Sequence, residues 1–424
     1  MSQMASGAPS AVAVGELRLK TLWQSWKTIG LLVLILAFFR EPLFLLSPRI
    51  WAEEGSLYLQ DYLDKGLLDS LLSPQLGYYS LYNNLVIATS TQFLGLELVA
   101  VGTTLIAFAV MLFAILAPFY LASAYWSDGR VRFLLAFFSL IIGSAEIWLN
   151  TINVQFYLGL FASCLLLSNQ RDLNAKLYWL TVAVLGIGAL SGVTSVILLP
   201  FFLWKLRQVR RSGACLEVQR LQIYVFILGF GLVVQTVALM MGFSVEADRR
   251  FSTASIDNLP LGLARTWLYL FSGSSSAVSA FFGAVIGLLG LYSVWTLARA
   301  RYLAIMVVYI GLVFTVLSVG MQGGGRYAYM PSVLVMLILL NGWSSMPSQV
   351  RGRVTIAVIL LFAVYKLEFF FDTDRFYDHQ WSRYADEIRE IEAGTSTSIR
   401  LFPQWPETDW KVDIPSQHIS RVRK

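Results

Sequence analysis

The sequence predicts an all-α polytopic membrane protein with about eleven transmembrane helices, and two observations support this fold class. Hydrophobic residues make up 57% of the 424 residues and charged residues only 14%, whereas a soluble domain carries about 25% charged residues. The apolar residues are also grouped into segments near the roughly 20 residues that cross a bilayer. Breaks that contain charged residues, Gly or Pro separate these segments.

The first apolar segment, residues 28–46, is predicted to be a retained helix rather than a signal peptide. Basic residues precede it and no small-residue cleavage site follows it. Residues 177–190 and 193–206 meet at Leu190-Ser191-Gly192, which fits either a hairpin of short helices or one long broken helix. The other predicted spans are 98–124, 132–149, 154–168, 221–241, 277–297, 302–319, 328–342 and 354–371.

The distribution of Lys and Arg predicts the orientation, because cytoplasmic loops carry the excess of these residues. With the N-terminus inside, sixteen fall on the inner side and seven on the outer side, leaving out the tail from Lys366. We therefore expect a multi-pass protein of the cytoplasmic (inner) membrane. It comprises a cytoplasmic segment 1–27, a membrane domain 28–371 and a periplasmic or extracellular tail 372–424.

This orientation requires that residues 77–95, although apolar, do not cross the membrane, since a further crossing would invert every later loop. We predict a helix at the outer interface there. In the preceding stretch, 55–72, apolar and charged residues fall on opposite helical faces, which is typical of an interfacial helix. The first outer loop, 47–97, is thus predicted to contain two interfacial helices.

Two later segments are also predicted to lie outside. Residues 242–276 form a second outer loop, and the tail begins with a helix, with Trp381, Tyr384, Ile388 and Ile391 at helical spacing before a stop at Gly394. Residues 399–415, rich in Trp and Pro, are expected to be irregular or extended and to cover another part of the protein.

Several classes of function are excluded by what the sequence lacks. The basic residues lie between apolar segments instead of forming one stripe with aromatic residues, so nucleic acid is not an expected partner. Both histidines lie in the tail and the two cysteines lack zinc spacing. No Walker loop, GxGxxG motif or Ser-His pair occurs in a fitting context.

The acidic pair Glu53 and Glu54 is the main candidate for chemistry, because it follows the first membrane exit and precedes an amphipathic stretch. Two adjacent carboxylates in a partly dry cleft raise one another's pKa, which suits a general base, or they share a cation. The alternative is a helix N-terminus, where acidic residues favour the helix dipole.

Other polar residues are predicted on the same side of the membrane. Glu146, Asn150, Asn153 and Gln155 could bind sugar hydroxyls or a metal, or could instead hydrogen bond between helices. Arg326 follows three glycines that allow a ligand to approach the backbone, so we favour phosphate contact over an interfacial arginine that snorkels. Arg265 is a weaker candidate of the same kind.

Taken together, these motifs resemble the GT-C superfamily of membrane glycosyltransferases, in particular a bacterial, glucosyltransferase-like subgroup. Members of that subgroup begin the first outer loop with Trp-Ala-Glu-Asp-Gly, here Trp51-Ala52-Glu53-Glu54-Gly55. The spacing of Glu54 to Tyr58 matches the superfamily pattern of an acid with an aromatic residue four positions later. Glu146 before Asn150, the Leu190-Ser191-Gly192 turn and Gly325-Arg326-Tyr327 also match.

The resemblance implies transfer of a sugar, with inversion, from a polyprenyl-phosphate donor to a glycan or lipid-linked acceptor outside the cytoplasm. Glu54 or Glu53 would be the general base, with the Tyr58 spacing favouring Glu54. Arg326 and Arg265 would bind the donor phosphate, and a divalent cation, Mg²⁺ or Mn²⁺, is left open. The alternatives are an O-antigen polymerase or ligase and a non-enzymatic transporter or flippase.

Overall fold

The computed structural model describes residues 26–40, 42–75, 77–142, 147–251, 277–317, 325–347, 350, 384–401 and 410–415. Helices dominate these ranges, and the strands form one small antiparallel pair. In chain order the elements are α1 (Trp26–Arg40), α2 (Pro42–Leu46), a π-helical turn (Glu54–Leu59), α3 (Gln60–Lys65), α4 (Leu67–Leu72), α5 (Leu81–Ile115), α6 (Ala117–Tyr120), α7 (Gly129–Ile142), α8 (Val154–Leu167), α9 (Ala175–Ala189), α10 (Leu199–Arg211), α11 (Cys215–Phe251), α12 (Ala277–Thr296), α13 (Ala298–Leu317), α14 (Gly325–Ser344), α15 (Tyr384–Ala393), β1 (Ser398–Arg400) and β2 (Lys411–Asp413).

The apolar helices indicate a membrane protein, as the composition predicts. Among the described residues, four helical segments are long and apolar enough to span a bilayer: Leu81–Ile115, Cys215–Gly242, Ala298–Leu317 and Arg326–Ser344. Most of the other predicted spans coincide with shorter helices, and residues 354–371 lie outside the described part of the chain. The predicted pair 177–206 is two helices, α9 and α10, separated by a turn and a short 3₁₀ helix.

Helices α8 and α14 form the centre of the fold. Nearly every residue of α8 is buried, and α14 packs against α7, α8, α12 and α13. Close approach of these two helices depends on Gly159, because a Cβ there would lie 3.0 Å from the Thr194 Cβ and 3.1 Å from the Met330 sulfur. The N-terminal ends of both central helices, Val154 and Gly325, therefore lie in one region of the molecule.

Helix α5 folds back on itself at Gly95, whose φ of 75° is a conformation that favours glycine. A Cβ on Gly102 would lie 2.6 Å from the Ser90 Oγ, although twelve residues of straight helix span about 18 Å. The Tyr62 hydroxyl, in the first loop, donates to Gln92 at 2.8 Å. Residues 81–94 thus run back along the first loop.

Two sequence-based predictions of element boundaries are corrected. The amphipathic stretch 55–72 is not one helix, because Gly66 adopts a φ of 82° and separates α4 from the π-helical turn and α3, which follow one another without a break. Helix α11 continues to Phe251, ten residues beyond the predicted end of its span at 241. The helix thus includes residues 242–251 of the predicted second loop, and residues 252–276 lie outside the described part of the chain.

The tail packs directly on the first loop. Its predicted helix is confirmed from Tyr384 onward in α15, and its predicted stop in Gly394, which has a φ of 77°, whereas Trp381 lies outside the described residues. Arg49 forms a buried ion pair with Glu387 at 2.9 Å and donates to the Arg400 carbonyl oxygen at 2.9 Å. The predicted extended segment contains β1 and β2, which pair antiparallel. Leu401, which follows β1, lies against Gly55, so the tail covers the turn that carries the acidic pair.

Candidate functional site

Glu54 is held by backbone hydrogen bonds from two distant segments. Its Oε2 accepts from the Trp51 amide at 2.9 Å, three residues earlier, and its Oε1 accepts from the Thr151 amide. The residue is 2% exposed. Burial raises the pKa of the carboxyl, while hydrogen bonds from Thr151 and Trp51 oppose that shift and the neighbouring Glu53 charge adds to it. Glu54 thus joins the first loop to the segment before α8.

Glu53 is the more accessible of the two acids. Its side chain is only partly buried, and it makes no capping hydrogen bond at the start of the π-helical turn. Of the two acids, Glu54 is the one that fits the alternative of a helix N-terminus, because its carboxylate accepts a hydrogen bond from the Trp51 amide. The Glu53 charge instead acts on the hydroxyls of Tyr58 and Tyr78.

Tyr58 is fully enclosed, and burial raises the pKa of its phenol to about 12. Its hydroxyl lies beside Asn83, Tyr78 and Ser80. The Tyr58 hydroxyl and the Asn83 side-chain oxygen are both buried, yet neither makes a hydrogen bond of standard geometry. Buried polar groups in this state need an explanation, and a functional role is one such explanation.

The segment before α8 supplies a backbone amide, and its two asparagines hold the segment in shape. The Asn150 side-chain oxygen accepts from the Asn153 amide at 3.0 Å and from the Asn153 side chain at 2.9 Å. Leu149 has a φ of 51°, which is uncommon for a residue other than glycine and recurs at functional sites. Asn150 and Asn153 therefore shape the turn that aims the Thr151 N–H at Glu54.

Gln155 lies at the edge of this cluster. Its side-chain nitrogen donates to the Ile152 carbonyl oxygen at 3.4 Å. A Cβ on Gly192, which has a φ of 105°, would lie 2.2 Å from the Gln155 Oε1, so the side chain packs on the turn after α9. The same turn holds the end of the first loop, because the Ser191 hydroxyl accepts from the Tyr82 amide at 2.9 Å.

Arg326 reaches the region from the first turn of α14. Its guanidinium carbon lies 5.3 Å from the centre of the Tyr327 ring. Tyr327 packs against Phe156 near the start of α8, with 5.6 Å between the ring centres. The Arg326 charge acts on the Tyr78 hydroxyl, which the Glu53 charge also reaches. Tyr78 thus lies within electrostatic reach of the carboxylate of Glu53 and the guanidinium of Arg326, both of which the sequence predicts for this site.

Two of the predicted site residues, Glu146 and Arg265, lie outside the described residues. Within the described ranges, no group of three or more His, Cys, Asp or Glu side chains could hold a metal ion. The cluster therefore contains Glu53, Glu54 and Tyr58, the loop shaped by Asn150 and Asn153, and Arg326, with Gln155 at its edge.

Sequence reasoning missed Tyr78, Asn83 and Thr151 as contributors. Thr151 acts through its backbone, so its side-chain type gives no signal. Tyr78 and Asn83 flank the start of an apolar helix, where Tyr and Asn are also typical of an ordinary membrane interface. Their proximity to Tyr58 depends on how the first loop folds back.

Comparisons with known proteins identify no relative, since no family model, curated protein or solved structure matches this chain.

Proposed function

We propose that the protein is a GT-C-like membrane glycosyltransferase that moves a sugar from a polyprenyl-phosphate donor to a glycan or lipid-linked acceptor. The reaction takes place at the end of the bundle that carries the first loop and the tail, which the Lys and Arg distribution assigns to the outside. In this proposal, eleven spans enclose the site, and residues 81–94 lie along the outer interface.

One observation carries the proposal: segments far apart in the sequence meet in a single polar cluster. The first loop brings Glu53 and Tyr58, the start of α5 brings Asn83, the segment before α8 brings Thr151, and α14 brings Arg326. In this cluster, enclosed polar groups separate a carboxylate from an arginine. Such an arrangement suits a reaction in which the carboxylate removes a proton and the arginine stabilises a negatively charged leaving group.

We assign the general base to Glu53. Both oxygens of Glu54 already accept backbone hydrogen bonds, and its 2% exposure leaves little room for an acceptor hydroxyl. Glu53 is partly accessible and one residue away. Its carboxylate removes the proton as the acceptor oxygen attacks the anomeric carbon and the bond from that carbon to the donor phosphate breaks. Attack opposite the phosphate inverts the anomeric configuration, and Glu54 keeps the turn in place.

Arg326 stabilises the phosphate that leaves. Its guanidinium presents several N–H donors to phosphate oxygens, and as the bond breaks, negative charge collects on those oxygens. The donor chain, being a lipid, would reach this position from the bilayer, so the reaction needs no nucleotide.

The donor class is tested with purified protein reconstituted in liposomes. Polyprenyl-phosphate sugars that carry different radiolabelled hexoses are supplied with an alcohol acceptor and no nucleotide. We expect at least one donor to yield transferred sugar and free polyprenyl phosphate. Transfer that requires a nucleotide sugar, or none from any lipid-phosphate donor, would contradict the proposal.

A further inference from the structure

Tyr78 is held in a turn by two backbone hydrogen bonds with Gln75. Its amide donates to the Gln75 carbonyl oxygen at 3.1 Å, and its own carbonyl oxygen accepts from the Gln75 amide at 3.0 Å. Gly77, just before it, has a φ of 72°. A Cβ on Gly242 would lie 3.1 Å from the Gly77 Cα, so α11 packs closely on this turn.

The next residue, Tyr79, is fixed by an amide from inside a candidate membrane span. The Gln235 Oε1 accepts from the Tyr79 amide at 3.0 Å, and the Gln235 Nε2 donates to the Tyr79 carbonyl oxygen at 2.9 Å. Gln235 is 4% exposed and also donates to the Ala189 carbonyl oxygen at 3.4 Å. A buried amide in an apolar span is costly unless it is hydrogen bonded. This one is used to position the backbone beside Tyr78.

The two tyrosine hydroxyls point to different surroundings. The Tyr79 hydroxyl donates to the Leu71 carbonyl oxygen at 2.8 Å, within the loop. The Tyr78 hydroxyl lies beside Tyr58 and within reach of the Arg326 and Glu53 charges. Burial raises the pKa of Tyr78 well above 10, with the Tyr58 hydroxyl adding to the shift and Arg326 opposing it. The phenol therefore keeps its proton at neutral pH and remains a hydrogen-bond donor.

We infer that the Tyr78 hydroxyl donates a hydrogen bond to the donor phosphate that Arg326 binds, and that Gln235 is the positioning residue that keeps it there. This inference rests on the proposed function and names the second group that recognises the phosphate. Phosphate oxygens accept several hydrogen bonds, so a neutral phenol and a guanidinium can bind the same group without competing. A neutral phenol also adds no negative charge of its own that would repel an anion.

Binding of farnesyl phosphate, a short polyprenyl phosphate, tests the inference on the purified full chain in detergent. Farnesol, which lacks the phosphate, is the comparison ligand. The variants are Tyr78→Phe and the matched control Tyr79→Phe, which removes a neighbouring hydroxyl that faces the loop. Thermal unfolding and size-exclusion profiles establish that each variant is folded.

We expect Tyr78→Phe to bind farnesyl phosphate about tenfold more weakly, the scale of one hydrogen bond to a charged group, with farnesol binding unchanged. Tyr79→Phe should bind both ligands as the wild type does. Equal affinity of Tyr78→Phe and wild type for farnesyl phosphate would overturn the inference. An equal loss for both ligands would also overturn it, because the hydroxyl would then have a structural role.

The positioning role of Gln235 is tested by Gln235→Met, which keeps the size of the side chain and removes both hydrogen bonds to Tyr79. We expect the same selective loss of farnesyl phosphate binding, and no further loss in the double variant with Tyr78→Phe. Unchanged phosphate binding in folded Gln235→Met would contradict that role. If the wild-type protein bound no farnesyl phosphate, the proposed function itself would fail. This result differs from equal binding by wild type and Tyr78→Phe, which would overturn only the role of Tyr78.

Discussion

Two neighbouring carboxylates of the first loop have different surroundings, and this difference separates their roles. Glu54 is enclosed and accepts two backbone hydrogen bonds, whereas Glu53 is partly accessible and has tyrosine hydroxyls within reach of its charge. The spacing to Tyr58 favours Glu54 as the base, but this spacing says nothing about which oxygens are already occupied. The hydrogen bonds therefore favour Glu53 as the proposed base, with Glu54 as the residue that fixes the turn.

The burial of Glu54 predicts a pH dependence of stability. Because burial raises its pKa above the ordinary 4.5, the native state binds the proton more tightly than the unfolded chain does. The stability from this group is therefore fully present below the unfolded pKa and is lost as the pH rises through the native pKa. We expect the Tm of wild type minus that of Glu54→Gln to decrease as the pH rises above 4.5.

The measurement is thermal unfolding in detergent at several pH values. Titrations elsewhere in the chain cancel in the difference, because the two proteins differ at one position and Gln does not ionise. A difference in Tm that grows as the pH rises would show that the native state favours the ionised form of Glu54.

At the scale of elements, most helices follow from the sequence and most contacts between loops do not. Apolar segments that end at charged residues, Gly or Pro predict helices such as α8 within a residue or two. Charge counting predicts only that residues 77–95 do not cross the membrane, whereas the fold-back of α5 at Gly95 comes from the structure. Contacts such as Gln235 with Tyr79 join residues 156 positions apart, and no local pattern predicts them.

The contact between Gly55 and the tail leads to a second prediction, which concerns a larger side chain at position 55. A Cβ on Gly55 would lie 2.1 Å from the Leu401 Cδ2, so Gly55→Ala requires Leu401 to move. Overpacking of this kind costs about 1 to 3 kcal/mol. We expect Gly55→Ala to lower both the Tm and the rate of sugar transfer, since the displaced turn carries Glu53.

The rescue variant is Gly55→Ala combined with Leu401→Ala, which makes room for the added methyl group. We expect this double variant to recover Tm and transfer relative to Gly55→Ala alone. Additive losses in the double variant would mean that the two residues do not interact and that the tail does not hold this turn.

At the scale of the whole molecule, contacts between distant parts fix which segments share a side of the membrane. The tail meets the first loop through the Arg49 and Glu387 ion pair, and the Tyr384 hydroxyl donates to the Leu96 carbonyl oxygen at 2.7 Å. The C-terminal half of α10 carries four basic residues on the side where the sequence predicts the cytoplasm. They are Lys205, Arg207, Arg210 and Arg211. Because the tail and the loop are in contact, we propose that they lie on one side of the membrane, and the distribution of positive charges predicts the outer side.

Single cysteines test this arrangement in a background with Cys164→Ala and Cys215→Ser. We expect a membrane-impermeant maleimide to label Asp69→Cys and Thr397→Cys in right-side-out vesicles, and Gln208→Cys only in inside-out vesicles. All three positions are exposed in the structure. Labelling of Asp69→Cys and Thr397→Cys from opposite sides would contradict the contact between tail and loop, and reversed labelling of all three would place the site in the cytoplasm.

The most direct test of the central claim is the single-turnover rate of sugar transfer by folded Glu53→Gln protein, with a polyprenyl-phosphate donor that the wild type uses. Because Gln cannot accept the proton of the attacking hydroxyl, we expect a loss of about 10² to 10⁴-fold at unchanged donor affinity. Glu54→Gln, where it remains folded, should lose less. A wild-type rate in Glu53→Gln would contradict the assignment of the base, and wild-type rates in both variants would make the acidic pair structural.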